Sequence, residues 1–137
     1  MEINFLAVLV AAIVSMIIGS MWYSPLLFGN IWMKLSGVKM PQNKEKHQKM
    51  MLTGYGIGLL TSVVAAYVMA HFVVITEATD AAAGAQLGFW IWLGFIATTQ
   101  FGPVIWERRS PKLFFIGTSN MLVTSLAMGI ILAVWPA

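Results

Sequence analysis

Four stretches of the chain, Ile3–Ser24, Met50–Thr76, Ala81–Trp106 and Leu113–Trp135, hold no Asp, Glu, Lys or Arg. About 20 apolar residues suffice for a helix to cross the hydrocarbon of a bilayer. The pattern therefore predicts an all-α fold: a four-span transmembrane helical bundle with spans near 3–24, 50–76, 81–106 and 113–135, forming a single transmembrane domain. Between the first two spans, Phe28, Ile31, Trp32 and Leu35 recur at i, i+3, i+4, i+7, while Asn30 and Lys34 fall elsewhere on the helical wheel. That spacing predicts a short interfacial helix in the first loop, ended by Ser36-Gly37, with Trp32 at headgroup level. Pro41 opens a polar helical extension, Gln42 to Lys49, that runs into the second span.

Each span also carries small residues every fourth position. The first has Ala7, Ala11, Ser15 and Gly19; the second Gly54, Gly58, Ser62, Ala66 and Ala70; the third Gly84 and Gly88; the fourth Ser125, Gly129 and Ala133. Small residues let helix backbones approach where lipid offers no hydrophobic drive for association. The longest stripe predicts that the second span sits at the bundle centre or at a subunit interface.

Charge orients the pattern. All eight Lys and Arg lie in two short stretches, Lys34–Lys49 and Arg108–Lys112, whereas the second loop carries only Glu77 and Asp80. Cations beside span ends mark the cytoplasmic side, so the first and third loops are expected inside and both termini outside, in a bacterial inner membrane. The same cations suit anionic lipid headgroups rather than nucleic acid, because every one flanks a span. With 59% hydrophobic and 9% charged residues the 137-residue chain is far from a soluble domain, in which charged residues are about 25%. The first apolar run begins Met1-Glu2 with no basic leader and ends in Trp22-Tyr23-Ser24-Pro25, so it is expected to stay as a span rather than be cleaved.

The chemistry available is sparse. No cysteine is present, which removes disulfides, thiol nucleophiles and thiolate metal sites together. His47 falls in the first loop and His71 toward the outer end of the second span, so they cannot easily share a metal; no cofactor or metal is expected. The ten methionines form no close Met-x-x-Met array within a span, and core packing accounts for them. Polar residues do concentrate toward the cytoplasmic ends of all four spans: Ser20 and Tyr23, Thr53 and Tyr55, Thr98, Thr99 and Gln100, and Thr118, Ser119 and Asn120. An unpartnered polar group facing hydrocarbon costs several kcal/mol, so Gln100 and Asn120 are expected to face protein or water. Pro103 leaves the carbonyl of Thr99 without its helical donor, which should bend or loosen the third span there. Gln100, Pro103 and Glu107 share one helical face that leads from the polar layer to a carboxylate at the rim. Ser20, Tyr23, Tyr55, Thr99, Gln100, Asn120 and Glu107 are thus the candidate cavity or ligand-binding residues; hydrogen bonds between helices are the plainer use of the same groups.

The run Gly19-Ser20-Met21-Trp22-Tyr23-Ser24-Pro25-Leu26-Leu27-Phe28-Gly29-Asn30-Ile31-Trp32-Met33 resembles the signature of domain-of-unknown-function family 1761, small four-helix bacterial membrane proteins. So do Gly88-Phe89-Trp90-Ile91-Trp92-Leu93-Gly94-Phe95 and Gly129-Ile130-Ile131-Leu132-Ala133-Val134-Trp135. The resemblance spans essentially the whole chain and implies a shared four-span fold without bringing an activity. Small multidrug transporters are similar in length, yet that resemblance would demand a carboxylate inside the first span, and Ile3–Ser24 has none. No residue set completes an enzyme mechanism. The expectation is a homo-oligomeric membrane protein that binds or passes a small neutral or amphiphilic solute, the alternative being a structural module that grips lipid or a partner.

Overall fold

The computed structural model describes residues 2–136. Six α-helices follow one another: α1 Phe5–Trp22, α2 Gly29–Ser36, α3 Lys44–Ile75, α4 Ala81–Ile91, α5 Thr98–Trp106 and α6 Pro111–Val134. A π-helical segment, Trp92–Ala97, joins α4 to α5 so that Ala81–Trp106 runs as one rod. Four rods are therefore long and apolar enough to cross a membrane, and the chain is a multi-pass membrane protein. At 1.5 Å per residue the 32-residue α3 is roughly 48 Å long, well beyond a hydrocarbon core of about 30 Å. Its charged first turns extend past the apolar stretch.

Each long rod starts on a side chain that satisfies an orphan backbone donor. Asn4 accepts from the N–H groups of Leu6 and Ala7, Asn43 from Glu45, Asp80 from Ala83, and Ser110 from Lys112, with Pro111 in the first turn of α6. Asn43 thus starts α3 two residues beyond Pro41, where the sequence suggested the polar extension would open. The α3–α4 turn is closed by the N–H of Ala78 on the Val73 carbonyl at 3.1 Å and the N–H of Glu77 on Val74 at 3.2 Å. Ala78 packs on Val73 and Ala133 beneath that turn, and Glu77 adopts φ 55° to make it.

Packing is lopsided along the rods. At the end that carries Glu77 and Asp80, here the acidic end, Ala7, Val8, Ala11 and Ala12 of α1 meet Ala66, Met69 and Ala70 of α3 and Met128 of α6 in one core. Beside it α4 presses directly on α6. A methyl group on Gly84 would lie 2.7 Å from the carbonyl carbon of Gly129, and one on Gly88 would lie 2.8 Å from that of Ser125. Gly84 and Gly129 each point their missing side chain at the other's carbonyl, so two backbones are in reciprocal contact. At the opposite, basic end the rods separate.

The centre of the bundle is α6, which packs against α1, α2, α3, α4, the π segment and α5. Of the two places expected for the second span, the bundle centre is thereby taken by α6 instead. Only the Ala66–Ala70 end of the second span's stripe is buried; Gly54 has nothing within 4 Å of a notional methyl, and Gly58 meets only the flexible Met16 side chain at 3.3 Å. Within the chain, the tightest seam belongs to the shorter stripes of α4 and α6.

Candidate functional site

Separation of the rods leaves a cavity of about 1370 Å³ that is widest at the basic end of the bundle and runs along α3 as far as Phe72. Its floor is α1 and α6, its walls are α3 on one side and the π segment with α5 on the other, and α2 reaches across its mouth. The wall on α3 follows one helical stripe, Met51, Gly54, Tyr55, Gly58, Ser62 and Ala65, so the small residues serve here to leave space rather than to close it.

Local structure in two places holds the opposite side in position. In the third rod, Trp92–Ala97 is wound as π-helix, whose wider turn misaligns backbone partners. Two hydroxyls fold back onto this segment: Thr98 donates to the Gly94 carbonyl at 2.7 Å, and Thr99 to Phe95 and Ile96 at 2.8 and 3.1 Å. The loosening expected around Thr98–Gln100 thus falls in the segment just before it, Trp92–Ala97, while α5 continues through Pro103. Trp92 in the same segment donates its indole N–H to the carbonyl of Thr118 on α6 at 2.7 Å. Trp22, at the end of α1, does likewise to Ile116 at 2.9 Å. Two indoles thus grip one turn of α6 from both flanks.

The second place is the Trp-Tyr-Ser-Pro turn. The N–H of Phe28 bonds the Trp22 carbonyl at 3.0 Å, and those of Leu27 and Gly29 bond Ser24 at 3.1 and 3.0 Å. Gly29 lies so close to the Tyr23-Ser24 backbone that a methyl would sit 2.8 Å from the Ser24 carbonyl carbon, so only glycine allows α2 to begin there. The folded-back α2 rests on α6 and stacks Trp32 edge-on against Tyr23, ring centroids 5.7 Å apart.

Of the candidate residues, Ser20, Tyr23, Tyr55, Thr99, Gln100 and Asn120 line this one cavity. Glu107 does not; it caps α5 with φ −103° and is exposed. Among the other polar residues of the layer, Thr98, Thr118 and Ser119 turn their hydroxyls back onto carbonyls of their own rods. The buried Oδ1 of Asn120 has no hydrogen-bond partner. Such an atom costs about 1–3 kcal/mol unless water or a ligand meets it, and it sits where the cavity would deliver one.

Two features of the lining were not read from the sequence. Asn30, Trp32 and Met33 come from α2, which the sequence suggested only as a short interfacial helix. Eight of the ten methionines line the cavity, and just two of these eight, Met69 and Met128, belong to the buried core. The signal was present in the spacing Met51, Gly54, Tyr55, Gly58, but periodicity cannot distinguish a face turned to a cavity from one turned to a helix. No Asp, Glu, Lys, Arg or His lines the cavity among the described residues, nor does any group of three His, Asp or Glu side chains come together there as a metal site would require.

A family model described as "Protein of unknown function (DUF1761)" matches residues 6–133, nearly the whole chain, including both tryptophans that grip α6 and every element of the cavity. The chain belongs to this family. The DUF1761 match thus covers the closed acidic end and the open basic end as one unit, with the Trp-Tyr-Ser-Pro turn inside it. No curated protein and no solved structure matches the chain.

Proposed function

We propose that this DUF1761 protein binds a small neutral or amphiphilic solute in the cavity, which opens toward the cytoplasm, and that the bundle assembles as a homo-oligomer in the bacterial inner membrane. The observation that carries the reading is the cavity itself. Its volume of about 1370 Å³ exceeds the roughly 300–1,000 Å³ usual for small-molecule sites, and its walls are apolar with a few free polar groups, the usual make-up of such a site. An uncharged lining disfavours strong ion coupling, because intramembrane charges commonly mark ion pathways and proton relays. The cytoplasmic orientation rests on the eight cations at the same end of the rods.

The chain has no native cysteine, so single cysteines report cleanly. Cysteines at Gln100 and Asn120 should react with a small membrane-impermeant thiol reagent supplied from the cytoplasmic side, and one at Ala12, buried in the core and off the cavity lining, should react far more slowly. Silence at both cavity positions in folded protein would favour the second reading, a structural module in which the basic loops hold lipid or a partner. That reading draws on the five lysines between Lys34 and Lys49, and stoichiometric co-purification of one partner would support it.

A further inference from the structure

The amide and phenol groups of the cavity lie at one end only, and this polarity narrows the ligand, granted that the cavity is a binding site. Tyr23, Asn30, Tyr55, Gln100 and Asn120 cluster toward the basic end, and none of their side chains has a hydrogen-bond partner among the described residues. Farther along α3 the wall becomes Ala65, Val68, Met69 and Phe72, faced by Ile91 and Met128. The polar groups along that length are single hydroxyls, Ser15, Ser62, Thr124 and Ser125, with Thr61 spent on the Gly58 carbonyl at 2.9 Å. From Met50 to Phe72 the lining follows α3 for 22 residues, roughly 33 Å at 1.5 Å per residue, which is the reach of an extended chain and not of a compact solute.

Charge and access point the same way. Met33, Met40 and Met50 at the mouth are each followed or preceded directly by a lysine, Lys34, Lys39 and Lys49, all exposed. Glu45 is the one carboxylate between α2 and the mid-part of α3. Along the side of the cavity, α3 packs on α1 and α6 and only lightly on α4, so its wall and that of α5 stand apart. Tyr55, Val68, Phe95 and Gln100 line the cavity and are nevertheless exposed, which makes this gap a lateral opening onto lipid. Methionine is unbranched and polarizable, and suits walls that must conform to a flexible chain.

We infer that the ligand is a single-chain amphiphile with an anionic head, a long-chain fatty acid or a lysophospholipid in chemistry. It enters sideways between α3 and α5, sets its head among the free polar groups beside Lys39 and Lys49, and lays its tail along Ala65, Val68 and Phe72. The tail contributes most of the affinity, and the lysines select the head.

The test uses the full chain in nanodiscs of phosphatidylcholine, with retained ligand read by native mass spectrometry. Hexadecanoate should be retained in preference to hexadecan-1-ol and to butanoate, and Ala65→Trp should abolish retention while the protein keeps its parent melting temperature. The pair Lys39→Gln and Lys49→Gln should weaken hexadecanoate by about fivefold per lysine and leave hexadecan-1-ol unchanged. A hexadecanoate carrying a diazirine at the chain end should label the Ala65–Phe72 stretch facing the cavity rather than the outward Leu60. Lysophosphatidylglycerol retained in place of hexadecanoate, and displaced by Ala65→Trp, would identify the lipid source of the same chemistry. Equal retention of acid and alcohol would overturn the anionic head, and retention unaffected by Ala65→Trp would overturn the tail site. Labelling of cysteines at Gln100 and Asn120 without retention of any amphiphile would overturn this inference alone and leave the solvated cavity standing.

Discussion

Replacing Gly88 by alanine adds one methyl group at the place where α4 and α6 touch backbone to backbone. That methyl would sit 2.8 Å from the Ser125 carbonyl carbon and 3.1 Å from the Leu126 nitrogen, whereas carbon contacts are at ease near 3.5–4.0 Å. The two rods must part by roughly 1 Å, because neither obstacle is a side chain that can rotate away. Forced overpacking of this size costs about 1–3 kcal/mol. Alanine's better helix propensity, up to about 1 kcal/mol in water, offsets little of this, since a membrane helix persists when the bundle separates. The net expectation is a loss of about 1–2 kcal/mol for Gly88→Ala. Gly54→Ala and Gly102→Ala are the controls. Neither has an atom within 4 Å of the added carbon, and both should stay within about 0.5 kcal/mol of the parent. Unfolding in mixed micelles of mild detergent and dodecyl sulfate, followed by tryptophan fluorescence, measures all three. Gly84→Ala combined with Gly88→Ala should cost less than the sum of the two changes, since rods already parted admit the second methyl more easily. Gly88→Ala proving as stable as Gly54→Ala would refute the claim that this seam closes the bundle.

Other expectations follow from single contacts. Trp92→Phe removes the indole bond to Thr118 while keeping an aromatic ring in place; it should cost about 0.6 kcal/mol, the mean for such bonds in a bilayer, and no more than about 1.7 in the same micelle titration. Glu77 stands in the left-handed region at φ 55°, where an L residue costs roughly 1–2 kcal/mol and glycine costs little. Glu77→Gly should therefore raise the melting temperature, and a drop would show that the carboxylate itself is needed. For topology, a reporter joined after Ala137 should be periplasmic and one inserted near Lys44 cytoplasmic; the reverse pair would turn the proposed cavity to the other face.

Four spans, their order and the basic-to-acidic polarity of the bundle were legible along the chain, because each depends on the residues of one segment and its flanks. An apolar run must satisfy its own backbone bonds as a helix in lipid whatever surrounds it, and Lys34–Lys49 cannot enter hydrocarbon. The small α2 was legible for the same reason, from about two turns of apolar spacing followed by Gly37. The π segment at Trp92–Ala97 was not, since Gly94 is one of many glycines in the spans and nothing in its neighbours specifies a wider turn; the indole bond to α6 and the hydroxyls of Thr98 and Thr99 are what accompany it. The meaning of the stripes was hidden as well. Gly54–Gly58–Ser62 and Gly84–Gly88 look alike in sequence, yet the first borders an open cavity and the second is pressed against Gly129 and Ser125. A small side chain states only that space is left beside a helix; whether a neighbouring backbone fills that space is fixed by the position of another rod far away in sequence, and only the tertiary structure decides it.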